Sequence, residues 1–158
     1  MKGNRLLFSY DQYMNKNKMA LRCPTATPIC TSELIGFKLV FRGEDYSAMA
    51  NIEHCTNSVV PVQLWSISER EEVIMDCFIG WPTLYRKEYI TVDVGGEKIT
   101  ALVYLMNLVD KRTGKVRPMG IPTKEYIENL RSAYEAAGLD QAAIDNAVKA
   151  ANDFRAKR

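Results

Sequence analysis

Histidine is nearly absent from the 158-residue chain, and His54 is the only one. Cysteine is sparse, at Cys23, Cys30, Cys55 and Cys77, with no C-x-x-C pair. Structural zinc wants four thiolate or imidazole ligands in tight pairs, so this material speaks against a metal site. His54 and Cys55 are neighbours in a strand-like run, where successive side chains point to opposite faces. A Cys–His catalytic pair is therefore not expected from them. Long hydrophobic runs are also missing. Nothing approaches the roughly 20 apolar residues that span a bilayer, and no apolar core near the start is long enough for a secretory leader. An excess of one charge is lacking: 21 Lys and Arg stand against 19 Asp and Glu, for a net charge of +2. Bulk charge thus gives no reason to expect a nucleic acid polymer as partner, and Arg155, Lys157 and Arg158 read as a solvated tail. The expectations are a cytoplasmic chain with reduced thiols, no membrane contact and no cofactor. No repeat or composition shift divides it, so one domain is expected over residues 1–158, with 140–158 a terminal helix and basic tail.

What is present is organised around Leu6-Leu7-Phe8-Ser9-Tyr10-Asp11-Gln12-Tyr13-Met14. Leu6, Leu7 and Phe8 read as a short buried strand, and the polar residues after them break it. A helical segment follows from Asn15 to Leu21. A strand feeding through a tight loop into a helix offers backbone N–H groups to an anion. The competing reading is an ordinary corner, favoured by the lack of a glycine that would let a ligand approach the backbone.

Further along, Thr27–Leu34, Gly36–Arg42, Ala48–Glu53 and Val59–Ile67 read as strands, with Pro61 weakening the last or placing it at an edge. Ser68 and Glu71 form a capping box for a helix toward Phe78. Arg86–Val94 and Lys98–Met106 form a hairpin about Gly95-Gly96. The second of these strands is apolar on both faces and is expected to be central. The stretch Val109–Pro118 reads as a loop. Thr123 caps a helix ended by Gly138, and Asp140 caps a final helix to about Ala156, expected to dock shallowly. The pattern implies an α+β fold: a small mixed β-barrel of about six to seven strands with flanking helices. Small barrels often hold one ligand at the mouth.

Taken together, these segments resemble the gamma-glutamylcyclotransferase-like (AIG2-like) family. Phe8-Ser9-Tyr10-Asp11-Gln12-Tyr13-Met14 is similar to its F-A-Y-G-S-N-M opening, and Arg22-Cys23-Pro24 to its R-C-P. Phe37–Phe41, Ala50-Asn51-Ile52 and Leu64-Trp65-Ser66-Ile67 resemble three of its strands. Met75-Asp76-Cys77-Phe78-Ile79-Gly80-Trp81-Pro82 sits where the family has L-D-x-x-E-G-x-P, followed by Tyr85-Arg86-Lys87-Glu88 and Pro122-Thr123-Lys124-Glu125-Tyr126. The resemblance implies a small barrel with a pocket lined by the first loop. In active members that loop holds a substrate carboxylate, and a glutamate moves protons while the α-amine attacks the γ-carbonyl, releasing 5-oxoproline and an amine.

Two departures fall on that chemistry. Ile79 stands at the glutamate position, and Asp11-Gln12-Tyr13 replaces Gly-Ser-Asn. Isoleucine can carry no proton, so no catalytic residue is assigned, and Asp11 is the candidate for a relocated acid. Asp76 is expected to be structural. The ligand-binding residues implied are Ser9, Tyr10, Asp11, Gln12, Tyr13, Arg22, Ile79, Trp81, Tyr85 and Tyr126. Asp11 would repel a carboxylate unless Arg22 or Arg86 neutralised it, so the ligand is expected to be altered, either cationic or aromatic. Three readings stay open: an inactive member that binds or sequesters a small molecule (nucleotide-like or an amine), an enzyme with a relocated acid, and a protein–protein module. A second copy of the chain is left open as a partner.

Overall fold

The computed structural model of the chain describes residues 4–158. Strand β1 (Arg5–Ser9) leads through a 3-10 turn (Gln12–Met14) into helix α1 (Lys16–Arg22). Strands β2 (Thr27–Arg42) and β3 (Met49–Ile67) follow, then α2 (Glu69–Ile79). The hairpin of β4 (Tyr85–Val94) and β5 (Glu97–Met106) precedes a short ribbon, β6 (Val109–Asp110) and β7 (Lys115–Val116). Helices α3 (Lys124–Ala136) and α4 (Ala142–Ala156) end the chain.

The main sheet has the order β2-β3-β1-β5-β4. β1 lies between an antiparallel neighbour, β3, and a parallel one, β5, with Leu7 opposite Leu102. Among the described residues no ladder joins β2 to β4. The sheet nevertheless wraps one core, since Leu39 and Phe41 of β2 pack in the same cluster as Ile90 and Val92 of β4. Five strands here and two in the ribbon make up the mixed architecture expected.

Four expected strands proved to be two. β2 and β3 each run through the predicted breaks, because the ladder tolerates an irregularity at Gly36. Ile35 pairs with Val59 but Phe37 pairs with His54, so residues 55–58 bulge out of β3. Gly36 at φ +85° supplies the left-handed conformation that a side chain would resist. The expected loop over Val109–Pro118 is also corrected: its two ends pair as β6 and β7.

Strand alternation explains the two cores. In β5, Ala101, Val103 and Leu105 join one cluster and Leu102, Tyr104 and Met106 the other. The first cluster is sealed by α3 and α4, through Leu130, Ala133, Tyr134, Ile144, Ala147 and Ala151. The final helix is therefore not shallowly docked, because its alanines allow close approach and bring Ile144 fully inside. The second cluster lies under α1 and α2 through Met19, Cys23 and Met75.

The caps of α2 and α3 are as expected. Ser68 and Glu71 form the reciprocal box at the start of α2, and Thr123 accepts from the Tyr126 N–H. The cap expected from Asp140 is corrected: Gln141 is the N-cap of α4 and makes no side-chain cap bond, while Asp140, one residue earlier, accepts from the Ala142 N–H at 2.6 Å. No helix among the described residues is long and apolar enough to cross a membrane.

Candidate functional site

A cavity of about 160 Å³ opens where the end of β1, the 3-10 turn, the C-terminus of α2 and the start of β4 converge. A dry engineered cavity of about 150 Å³ holds a benzene, so this space suits a small ring or short chain. Eight of the expected residues line it: Ser9, Tyr10, Asp11, Gln12, Tyr13, Ile79, Tyr85 and Tyr126.

Arg22 and Trp81 do not line it. The Arg22 guanidinium stacks 3.7 Å from the Phe78 ring centre, and its Nε lies 3.5 Å from the Tyr13 hydroxyl. It thus sits behind two wall residues. Trp81 is 45% exposed, with the Lys87 ammonium 4.4 Å from its ring centre. Sequence reasoning missed Tyr104, Phe78, Met49 and Met75, which also line the cavity. Tyr104 was within reach of a sequence argument, because it shares a face of β5 with Leu102. Its closeness to the first loop, however, depends on the parallel pairing of β1 with β5.

Polar groups around the cavity are largely committed to the framework. The Tyr85 hydroxyl donates to the Ala50 carbonyl at 2.7 Å, while the Tyr126 hydroxyl accepts from the Ala50 N–H at 2.8 Å. One residue of β3 thus fixes an aromatic from β4 and another from α3. The Tyr10 hydroxyl donates to the Tyr104 carbonyl at 2.6 Å, and the Tyr134 hydroxyl reaches the Tyr10 carbonyl at 3.4 Å. The Tyr104 hydroxyl donates to Asp76, whose other oxygen accepts from Lys87 at 2.7 Å. Lys87 also bridges to Glu72. Asp76 therefore ties α2 to β4 and β5, which places Ile79 one turn further along against the cavity. Gly80 ends that helix at φ +92°, where its N–H returns to the Asp76 carbonyl.

Asp11 differs from these groups. One oxygen accepts from the Tyr13 N–H at 3.1 Å, and among the described residues the carboxylate has no ion-pair partner. Arg86, one of the two arginines that could have neutralised it, is bound to Glu88 and to the Met106 carbonyl. Burial pushes the Asp11 carboxyl up to about 6, against the smaller opposing pull of the Tyr13 and Asp11 N–H groups. Its charge in turn helps to hold the phenols of Tyr10, Tyr85, Tyr126 and Tyr134 above their ordinary range, where burial is the main cause.

The strand–helix corner satisfies part of its own donor set. The Asn15 side chain accepts from the Asn17 and Lys18 N–H groups, and Asp11 occupies that of Tyr13. Among the described residues no lysine, arginine, histidine or cysteine lines the cavity. Among the described residues no group of three or more His, Cys, Asp and Glu could hold a metal ion.

A family model described as "Gamma-glutamyl cyclotransferase, AIG2-like" matches residues 7–128. Solved structures give the same picture of the fold. One titled "Gamma-glutamyl cyclotransferase" aligns with a TM-score of 0.72 at 20% identity, covering 97% of this chain and 87% of that one. An uncharacterized protein from Homo sapiens aligns at 0.73 and 20%, covering 98% and 88%. YkqA from Bacillus subtilis aligns at 0.72 and 16%, covering 96% of this chain and 55% of that one. No curated protein matches this chain.

Proposed function

The chain belongs to the gamma-glutamyl cyclotransferase, AIG2-like family, and from that premise we propose that it uses the fold to bind a small molecule without converting it. The observation that carries this reading is Ile79. It stands on the cavity wall at the last residue of α2, at the position where the resemblance puts the family's proton-transferring glutamate. An amine arriving protonated must lose a proton before it can attack a carbonyl, and isoleucine offers no acceptor. The volume favours a small metabolite over a whole nucleotide, which would protrude. The cavity stays open with Tyr13 at its wall, which speaks against a pure protein–protein module.

The test incubates the full chain with a metabolite extract, separates it, and identifies by mass spectrometry what denaturation releases. An unaltered compound is expected. Disappearance of a compound with 5-oxoproline appearing would overturn the reading.

A second reading is favoured by one observation: Asp11 faces the same cavity with its carboxyl raised to about 6, close to the range where a general base works. If Asp11 were a relocated acid, any turnover would vanish in Asp11→Asn.

A further inference from the structure

The cavity wall has an unusual balance of groups. Among the described residues its lining contains one carboxylate, Asp11, and no cationic side chain. The carboxylate is not neutralised from elsewhere among the described residues. Among the described residues seven aromatic rings line the same cavity: Phe8, Tyr10, Tyr13, Phe78, Tyr85, Tyr104 and Tyr126. The hydroxyl protons of Tyr10, Tyr85 and Tyr104 are already given to framework acceptors. Those rings therefore meet a ligand as aromatic carbon rather than as donors.

A desolvated carboxylate among aromatic rings attracts cations twice over, by direct charge and by the ring quadrupoles. An anion meets the reverse. It would approach Asp11 without a counter-charge, and the Tyr13 N–H of the turn is already given to Asp11. We propose that Asp11 is the recognition residue for a protonated amine, so that the ligand is a small ammonium compound carried on an aromatic or apolar body. This rests on the binding reading above and names its ligand class.

The groups that face Asp11 leave it as the titrating member. Tyr10 just after β1, Tyr85 from β4, Tyr104 from β5, and Tyr126 and Tyr134 from α3 are all pushed up by burial and stay neutral. Tyr13 comes from the turn. Among the described residues, cations around the cavity are engaged elsewhere: Arg22 on Phe78, Arg86 on Glu88, Arg117 on the Asn107 carbonyl and near Asp110, and Lys87 between Glu72 and Asp76.

The experiment is calorimetric titration of the full chain with benzylammonium, benzyl alcohol and benzoate, which share a ring and differ in charge. At pH 7.5 benzylammonium should bind at least about tenfold more tightly than the alcohol, and benzoate more weakly than either. At pH 5 the advantage of the amine should fall by about tenfold, as a carboxyl with its midpoint near 6 becomes protonated. Asp11→Asn, whose amide oxygen can still accept from Tyr13, should abolish the advantage at both pH values while keeping a cooperative thermal transition. Equal or tighter binding of benzoate, survival of the amine preference in Asp11→Asn, or no binding of benzylammonium at millimolar concentration would each overturn the assignment. The metabolite extract separates the two levels. An intact anionic compound released from the protein would sink the ammonium class and leave the binding reading standing, whereas a converted compound would sink the binding reading itself.

Discussion

The two faces of the sheet are packed from similar residues but end differently. On the face covered by α3 and α4, the enclosed aliphatics Leu34, Val60, Val62, Leu64 and Leu130 pack with Phe8, Phe41 and Tyr134. On the face covered by α1 and α2, Leu7, Ile67 and Leu102 share the core with Trp65, Tyr85, Tyr104 and the methionines Met19, Met75 and Met106. There the Trp65 indole N–H is the buried side-chain polar atom without a partner among the described residues. The cavity opens where the second face meets the end of β1, and it carries an unpaired carboxylate. The contrast separates work. Dense packing without a cavity stabilises the fold, while space and an uncompensated charge cost stability and give the molecule something to do.

The largest expected effect tests the packed face. Leu130→Ala removes an enclosed side chain of α3 and should cost roughly 2–5 kcal/mol in chemical denaturation, with affinity for a cavity ligand unchanged in the folded fraction. Loss of binding without loss of stability would mean that the faces are coupled.

Asp11→Asn should act in the opposite direction. The folded carboxyl is raised from 3.8 to about 6, so ionising it works against the folded state. The stability tied to the neutral acid is complete below pH about 3.8 and is lost as the pH rises through about 6. At pH 7.5 the asparagine variant should therefore be more stable by up to about 3 kcal/mol, a gain that fades toward pH 4. Thermal melts across this range provide the check. A destabilised variant at pH 7.5 would make Asp11 a framework residue and erase the contrast drawn above.

A smaller effect sharpens the boundary between framework and cavity. Tyr104→Phe leaves Asp76 with Lys87 alone and should cost about 1.5–3 kcal/mol, the usual range for a hydrogen bond to a charged group. If the same variant changed ligand affinity more than stability, the Tyr104 hydroxyl would belong to the site. The smallest effect concerns α2, which carries Ile79. Ser68→Ala removes the oxygen that accepts from the Glu71 N–H and should cost about 1 kcal/mol, read by denaturant midpoint. Glu71 also holds Thr25 through two hydrogen bonds, which should keep the helix in place.

Much of this was legible before any coordinates. The Ser68–Glu71 box, the Thr123 cap and the turn at Gly95-Gly96 all form as read. So does the two-sided burial of β5, because its apolar residues occupy both parities of the strand. The breaks placed within β2 and β3 failed for a physical reason. A strand with a good partner continues through a glycine or a bulge, and that partner is supplied by a ladder whose register no local window contains. The site shows the same division. Ser9 through Tyr13 and Ile79 were recognisable by motif spacing and do line the cavity. Arg22 and Trp81 were named for their chemistry, but each side chain found a stacking partner, Phe78 or Lys87, that only the folded chain provides.

The sequence by itself determined the caps of α2 and α3, the hairpin, the alternation of faces and the isoleucine at position 79. These depend on residue identity and on interactions spanning a few positions. The tertiary structure alone decided that space remains between Asp11 and Ile79, that Ala50 anchors two tyrosines from distant elements, and that no arginine reaches Asp11. The reason is that desolvation and charge pairing are set by whatever distant segments cover a group, and the chain brings those segments together only when it folds.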